Sequence, residues 1–183
     1  IIILLLIGAL GGAWMVSGVV PTIIYYGMEI MSPKWFLVSA CLICSLVSVL
    51  TGSSWTTIAT IGVALMGIGK ALGFSEAWIA GAVISGAYFG DKMSPMSDTT
   101  VLASSTVGTP LFTHIRYMLY TTVPTYFITL TIFTVVGFGQ GEMLTSHVAT
   151  VQHGLQQTFF ISPWLILVPA LTFVLILMRL PSM

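Results

Sequence analysis

The segment Gly90-Asp91-Lys92-Met93-Ser94-Pro95-Met96-Ser97-Asp98-Thr99-Thr100 gathers two carboxylates, an ammonium, a proline and four hydroxyl side chains into a chain that is otherwise mostly apolar. Its chemistry follows from Pro95. Proline has no N–H, its ring clashes with the carbonyl four residues back, that of Asp91, and its Cδ pushes Ser94 away from helical dihedrals. A helix entering at Gly90 must break there. The freed carbonyls around 91–93 then share space with the Asp91 carboxylate and the Ser94 and Ser97 hydroxyls. These are hard oxygen ligands suited to a small cation such as Na⁺, and unwound carbonyls beside half-helix ends are a transporter's way of holding one. An anionic group could instead face the N-terminus of the half-helix that begins at Thr99 and Thr100. Two structural readings stand beside these: Asp98 as the N-cap of that half-helix, and Asp91 as the partner of Lys92 or Lys70.

The elements that position this segment are membrane elements. Of 183 residues, 57% are hydrophobic and 5% charged, with a mean hydropathy of +1.07, far from the quarter charged residues of a soluble domain. Runs such as 1–7 do not alternate, which argues against a β-barrel and for helices. Within a bilayer a charge costs at least about 2.5–3.5 kcal/mol on insertion scales, so Asp91, Lys92 and Asp98 together need a reason, and function is the default one. Formal net charge is zero with no basic cluster, which gives no sign of nucleic acid as a partner. Cys41 and Cys44 have CxxC spacing but lie in an apolar run without a second pair, and read as buried thiols. The opening apolar run lacks an initiator Met and a basic flank, so the chain reads as a fragment and not as a signal peptide at a natural start.

Residues 1–31 read as one kinked or interrupted helix, given Pro21 and several glycines. The apolar pieces 35–50 and 57–69 reach roughly 24 and 20 Å at 1.5 Å per residue, short of a hydrocarbon core of about 30 Å. That favours a re-entrant hairpin with its polar tip at 52–57 over two ordinary spans. Residues 76–89 and 99–107 are each short but cross together, which puts the charged segment near mid-membrane in one broken helix. Residues 117–138 make a full crossing, 139–157 a polar loop or surface helix carrying Glu142, His147 and His153, and 164–180 a last crossing. His114 and Arg116 suit interfacial anchoring. Lys34 and Lys70 on one side balance Arg116 and Arg179 on the other, so the basic count assigns no orientation.

The segment 88–100, YFGDKMSPMSDTT, followed by Leu111-Phe112-Thr113-His114-Ile115-Arg116-Tyr117-Met118, resembles the NhaC family of sodium/proton antiporters. Gly52-Ser53-Ser54-Trp55-Thr56-Thr57 and Gly11-Gly12-Ala13-Trp14-Met15 resemble the same family, so the likeness covers nearly the whole chain. It implies an all-α, multi-pass protein of the cell membrane, one half of an inverted-repeat transporter, with a re-entrant hairpin and one broken helix in each half. On that likeness residues 1–183 form a single transmembrane domain: a first repeat over about 1–138, a polar loop over about 139–163 and the start of a second half at about 164–183. The tip residues Ser53, Ser54, Thr56 and Thr57 would face the break at Gly90 and Pro95. Asp91, Asp98, Ser94, Ser97, Thr99 and Thr100 would complete one Na⁺ and H⁺ site, with Asp91 and Asp98 as carboxylate ligands.

The resemblance thus implies a non-enzymatic exchanger of Na⁺ for H⁺. Its partners would be the two ions and the bilayer, with a homodimer compatible and the second half outside this chain; no cofactor is implied beyond the transported ions. The same family allows exchange of a small carboxylate such as malate or lactate coupled to Na⁺ or H⁺, although no arginine clamp accompanies the segment. From another class, an intramembrane aspartyl protease would need two carboxylates sharing a proton, which helices facing each other supply more simply than Asp91 and Asp98 on one segment.

Overall fold

The computed structural model describes residues 13–14, 16–140, 153–168 and 170–171. Among the described residues every regular element is helical and none is a strand. The chain order is α1 (Val19–Ile30), a 3₁₀ turn (Pro33–Trp35), α2 (Phe36–Thr51), α3 (Ser54–Thr57), a π-helical stretch (Ile58–Gly62), α4 (Val63–Ala71), α5 (Glu76–Met93), α6 (Asp98–Val107), α7 (Leu111–Gln140) and a second 3₁₀ turn (Pro163–Ile166).

The interruption expected in the first apolar stretch falls at the turn Ser17–Gly18, and Pro21 sits in the first turn of α1, where its missing N–H breaks no intrahelical bond. The hairpin arms exceed the expected lengths. With its leading 3₁₀ turn the first runs over Pro33–Thr51, 19 residues or about 28 Å. The second joins pieces of 4, 5 and 9 residues without a gap, about 27 Å. The apolar runs alone hid this, because Ser54–Thr57 is polar yet helical. Likewise α5 continues through Gly90 to Met93, 18 residues or about 27 Å, and so nearly spans a hydrocarbon core by itself. Gly90, expected at the break, lies inside the helix; the chain leaves helical geometry only at Ser94.

Small residues decide how α2 and α5 meet, and these two share the most extensive contact between elements. Ala82, Gly86 and Gly90 recur every four residues and form one stripe along α5. A Cβ at Gly86 would strike the Cys41 carbonyl oxygen, and one at Gly90 the Ser45 carbonyl oxygen and, at 2.6 Å, the Ser48 Cβ. The parallel helices therefore touch backbone to backbone, as small-residue stripes permit in membranes. Ser48 Oγ donates to the Ala87 carbonyl at 2.6 Å and Ser94 Oγ to the Val49 carbonyl at 2.8 Å, which carries the contact to the end of both helices. Around this seam Phe36, Leu37, Cys41, Cys44, Ile79 and Val83 form a core with Leu65, Ile68 and Leu72 of the hairpin's second arm and its following turn. Both cysteines are free thiols buried there, as expected.

α7 covers α2 and α5 from the side and runs antiparallel to them. Phe89 stacks on Tyr126 with ring centroids 3.9 Å apart, Tyr126 Oη lies 2.5 Å from Ser45 Oγ, and Gly137 packs on the Lys34 carbonyl. α7 thus begins beside α6 and ends at the base of the hairpin. Its 30 residues, about 45 Å, start at Leu111, six residues before the apolar run suggested. Pro33–Thr51 and Leu111–Gly139 are each long and apolar enough to cross a membrane. Of the expected polar loop, 139–140 close α7 and 153–158 is helical, while 141–152 with Glu142 and His147, and the part of the last crossing beyond 171 with Arg179, lie outside the described residues.

Candidate functional site

Two irregular points of the chain meet. The hairpin turns at Gly52, whose φ of 69° lies in the left-handed region that glycine adopts without strain. A Cβ there would come within 2.8 Å of the Met96 backbone and Cβ, so the tip rests directly on the break between α5 and α6. Ser53 caps α3: its Oγ accepts from Thr56 N at 3.3 Å and from Thr56 Oγ1 at 3.1 Å, while Thr57 Oγ1 donates to the Ser53 carbonyl at 2.9 Å. These three hydroxyls are engaged within the tip. Ser54 is buried, and it is the one that crosses: Ser54 Oγ donates to Asp91 Oδ2 at 3.0 Å.

On the other side, Pro95 acts as its chemistry requires. The Asp91 carbonyl, denied an amide at position 95, accepts a loose bond from Ser94 N at 3.3 Å, and Thr100 Oγ1 lies 3.4 Å from both the Asp91 and Lys92 carbonyl oxygens. Ser94 and Ser97 are fully buried. Ser97 Oγ accepts from Thr100 N at 3.5 Å and lies 2.8 Å from Thr99 Oγ1, so the N-cap of α6 is Ser97 and not Asp98. A residue with extended dihedrals must precede the helix to cap it, and Ser97 (φ −73°, ψ 127°) has them where Asp98 is already helical. Asp98 occupies the first turn of α6, exposed, where its charge suits the positive helix end. Thr99 is exposed beside it.

Of the oxygen donors expected from sequence, the structure therefore joins Asp91, Ser54 and Thr100, holds Ser94 and Ser97 in the floor of the break, keeps Ser53, Thr56 and Thr57 in the tip, and turns Asp98 and Thr99 outward. No hydrogen bond links the two carboxylates. Asp91 pairs with neither lysine: among the described residues the one ion pair is Lys70 Nζ to Glu76 Oε1 at 2.6 Å, solvent-exposed where α4 ends and α5 begins, where their hydrogen bond and then their opposite charges raise the lysine pKa and lower that of the glutamate. Nor do three His, Cys, Asp or Glu side chains converge anywhere among the described residues. The arrangement around Asp91 is one carboxylate amid neutral oxygens, which can hold a monovalent cation or a proton. Sequence reasoning missed Met96 as the seat of the tip and Ser45, Ser48 and Tyr126 as the polar seam beneath the site. The four-residue spacing of Ala82, Gly86 and Gly90 was the signal for that seam.

Comparison with known proteins identifies the family. The model of the Na⁺/H⁺ antiporter family matches residues 86–183. The whole chain is 50% identical over 182 residues to a protein of Alkalihalophilus pseudofirmus named Na(+)/H(+) antiporter NhaC, and covers 39% of it. It is 48% identical over 185 residues to the Malate-2H(+)/Na(+)-lactate antiporter of Bacillus subtilis, covering 40% of that protein. Over 98% of its length it is 44% identical to Na(+)/H(+) antiporter NhaC of the same organism, again covering 40%. The chain thus spans about two fifths of the length of these relatives. No solved structure matches. With its sequence matched along its full length and its charged segment inside the family's own region, the chain belongs to the Na⁺/H⁺ antiporter family.

Proposed function

We propose that the chain forms the first half of a multi-pass secondary transporter of the cell membrane that exchanges Na⁺ for H⁺ at Asp91. The observation that carries this reading is the Ser54–Asp91 contact, which puts a carboxylate where the hairpin tip meets the interrupted helix. A carboxylate that accepts either Na⁺ or a proton, but not both, couples the two in exchange. Ser54, Thr100 and the carbonyls of 91–93 supply the neutral oxygens that would replace the ion's water. The hairpin is re-entrant in this reading. Its arms of about 28 Å share a base with α7, which runs about 45 Å, so the tip stops well short of the far end of that helix. α5 and α6 together form the broken helix, and a second half of inverted topology would complete the site. Alternating access is then movement of the hairpin and broken helix against the remaining bundle.

The test is Na⁺-induced collapse of a pH gradient in everted vesicles carrying the full-length transporter. Asp91→Asn keeps the volume but can neither bind a proton at physiological pH nor neutralise a cation, so both halves of the exchange should vanish together while insertion and thermal stability persist. Exchange at the wild-type rate in this variant would overturn the assignment.

A further inference from the structure

Asp91 faces the hairpin, but the next residue serves a different surface. Lys92, in the last turn of α5, lines a groove of about 190 Å³ between α5 and α7. The floor is the Phe89–Tyr126 ring stack, and the antiparallel register sets Ser85 near the level of Thr129 and Lys92 near that of Thr122. Two features make this more than a helix seam. First, Lys92 has no carboxylate within ion-pair distance among the described residues, since Asp91 is turned to Ser54 and Glu76 to Lys70. A lysine at membrane depth needs a partner. Second, the free groups around it are donors: Ser85, Tyr88 and Thr122 make no hydrogen bond among the described residues, whereas Thr125 and Thr129 spend their hydroxyl hydrogens on the carbonyls of Thr121 and Thr125 and offer only lone pairs.

We propose that this groove is a binding site for a small carboxylate anion, with the Lys92 ammonium on the carboxylate, Ser85, Tyr88 and Thr122 as donors, and Thr125 and Thr129 as acceptors for a hydroxyl of the ligand. A spherical halide could accept from the lysine and the hydroxyls beside it, but it cannot span the row and has nothing to donate to Thr125 and Thr129. The row of polar groups extends over two helical turns, which suits an elongated ligand, and the volume holds about six waters at about 30 Å³ each, the size of an acid of a few carbons and below that of most drug-sized pockets. The proposal is independent of the cation assignment, because it uses neither Asp91 nor the hairpin.

The experiment is thermal unfolding of the purified full-length transporter, titrated in the absence of Na⁺ with potassium L-lactate, potassium L-malate or potassium chloride at fixed ionic strength. At least one of the two acids should raise Tm saturably where chloride does not. Lys92→Gln should weaken the apparent affinity for that acid at least tenfold, and Thr122→Val severalfold, with the second variant carrying the test if the first fails to fold. A separate NaCl titration without acid reads the Asp91 site: loss of that response with acid binding intact would sink the cation reading alone. No saturable effect of either acid on the wild type, an equal effect of chloride, or unchanged acid affinity in the folded variants would overturn the groove as a carboxylate site.

Discussion

Ser54 Oγ donates to Asp91 Oδ2 across 3.0 Å although 37 residues separate them, so the side chain that opens α3 holds the carboxylate near the end of α5. A hydrogen bond to a charged group is worth about 1.5–3 kcal/mol, and about 1.4 kcal/mol is tenfold in a binding constant. Ser54→Ala should therefore raise the apparent Na⁺ constant of the full-length transporter by roughly tenfold or more. Na⁺-dependent proton release in proteoliposomes measures it, and an unchanged constant would remove Ser54 from the site.

The α2–α5 seam gives a stability prediction with a built-in control. Replacing a helical glycine by alanine gains up to about 1 kcal/mol where space allows, and overpacking costs about 1–3 kcal/mol. At Gly81 a Cβ meets only Phe133 Cε1 at 4.0 Å, whereas at Gly86 and Gly90 it meets the partner helix's backbone. Gly81→Ala should hold or raise Tm, and Gly86→Ala and Gly90→Ala should lower it. Equal shifts at all three would mean that the close approach is not what holds the helices.

How far the sequence could be read follows the range of each interaction. Pro95 acts on its own neighbours, so a break just after Met93 was legible to within a few residues, and so was the hairpin turn at Gly52. The lengths of the arms were not. An apolar run marks lipid-facing or core surface, and Ser54–Thr57 is helical while polar, its hydroxyls occupied by Ser53 and Asp91. Gly90 looked like part of the break because glycine often marks one; its role here is to let α5 reach the Ser45 backbone, a contact with a residue 45 positions away. The cap at Ser97 hinged on backbone dihedrals that a string of hydroxyl residues leaves open.

Pro95→Ala restores an N–H at the one position from which the Asp91 carbonyl could regain its helical bond. That carbonyl now has only the 3.3 Å bond from Ser94 N and the 3.4 Å approach of Thr100 Oγ1. The helix should extend by a turn and withdraw the carbonyl from the site. The expected outcome is a raised apparent Na⁺ constant at comparable thermal stability; an unaltered Na⁺ dependence would exclude these carbonyls as ligands.

The Lys70–Glu76 pair bridges the turn between α4 and α5 in solvent, with side chains 71% and 62% exposed, and solvent screens such pairs heavily. The glutamate pKa is lowered, so its contribution holds above the unfolded value and is lost as pH falls through the folded one. The lysine pKa is raised, so its contribution holds below the unfolded value and is lost as pH rises through the folded one. Between those limits the pair is intact. Glu76→Gln should nevertheless leave Tm unchanged within error at physiological salt, and a large drop would show that this pair, and not the Phe36–Phe74 contact, secures the turn.

Ser97 and Asp98 separate capping from ion binding. Ser97 is fully buried and its Oγ accepts from Thr100 N, so Ser97→Ala removes the cap and should cost about 1 kcal/mol of stability. Because the same cap fixes where Thr100 Oγ1 lies relative to the Asp91 and Lys92 carbonyls, the apparent Na⁺ constant should rise as well. Asp98 is exposed in the first helical turn and its carboxylate touches none of the site oxygens; Asp98→Asn removes a favourable charge–dipole interaction worth about 0.3–1 kcal/mol and nothing more. Its Tm should fall slightly and its Na⁺–H⁺ exchange should stay close to wild type. Complete loss of exchange in a folded Asp98→Asn protein would instead make Asp98 a second ion ligand, which would require the outward-facing turn of α6 to rotate toward Asp91 during transport.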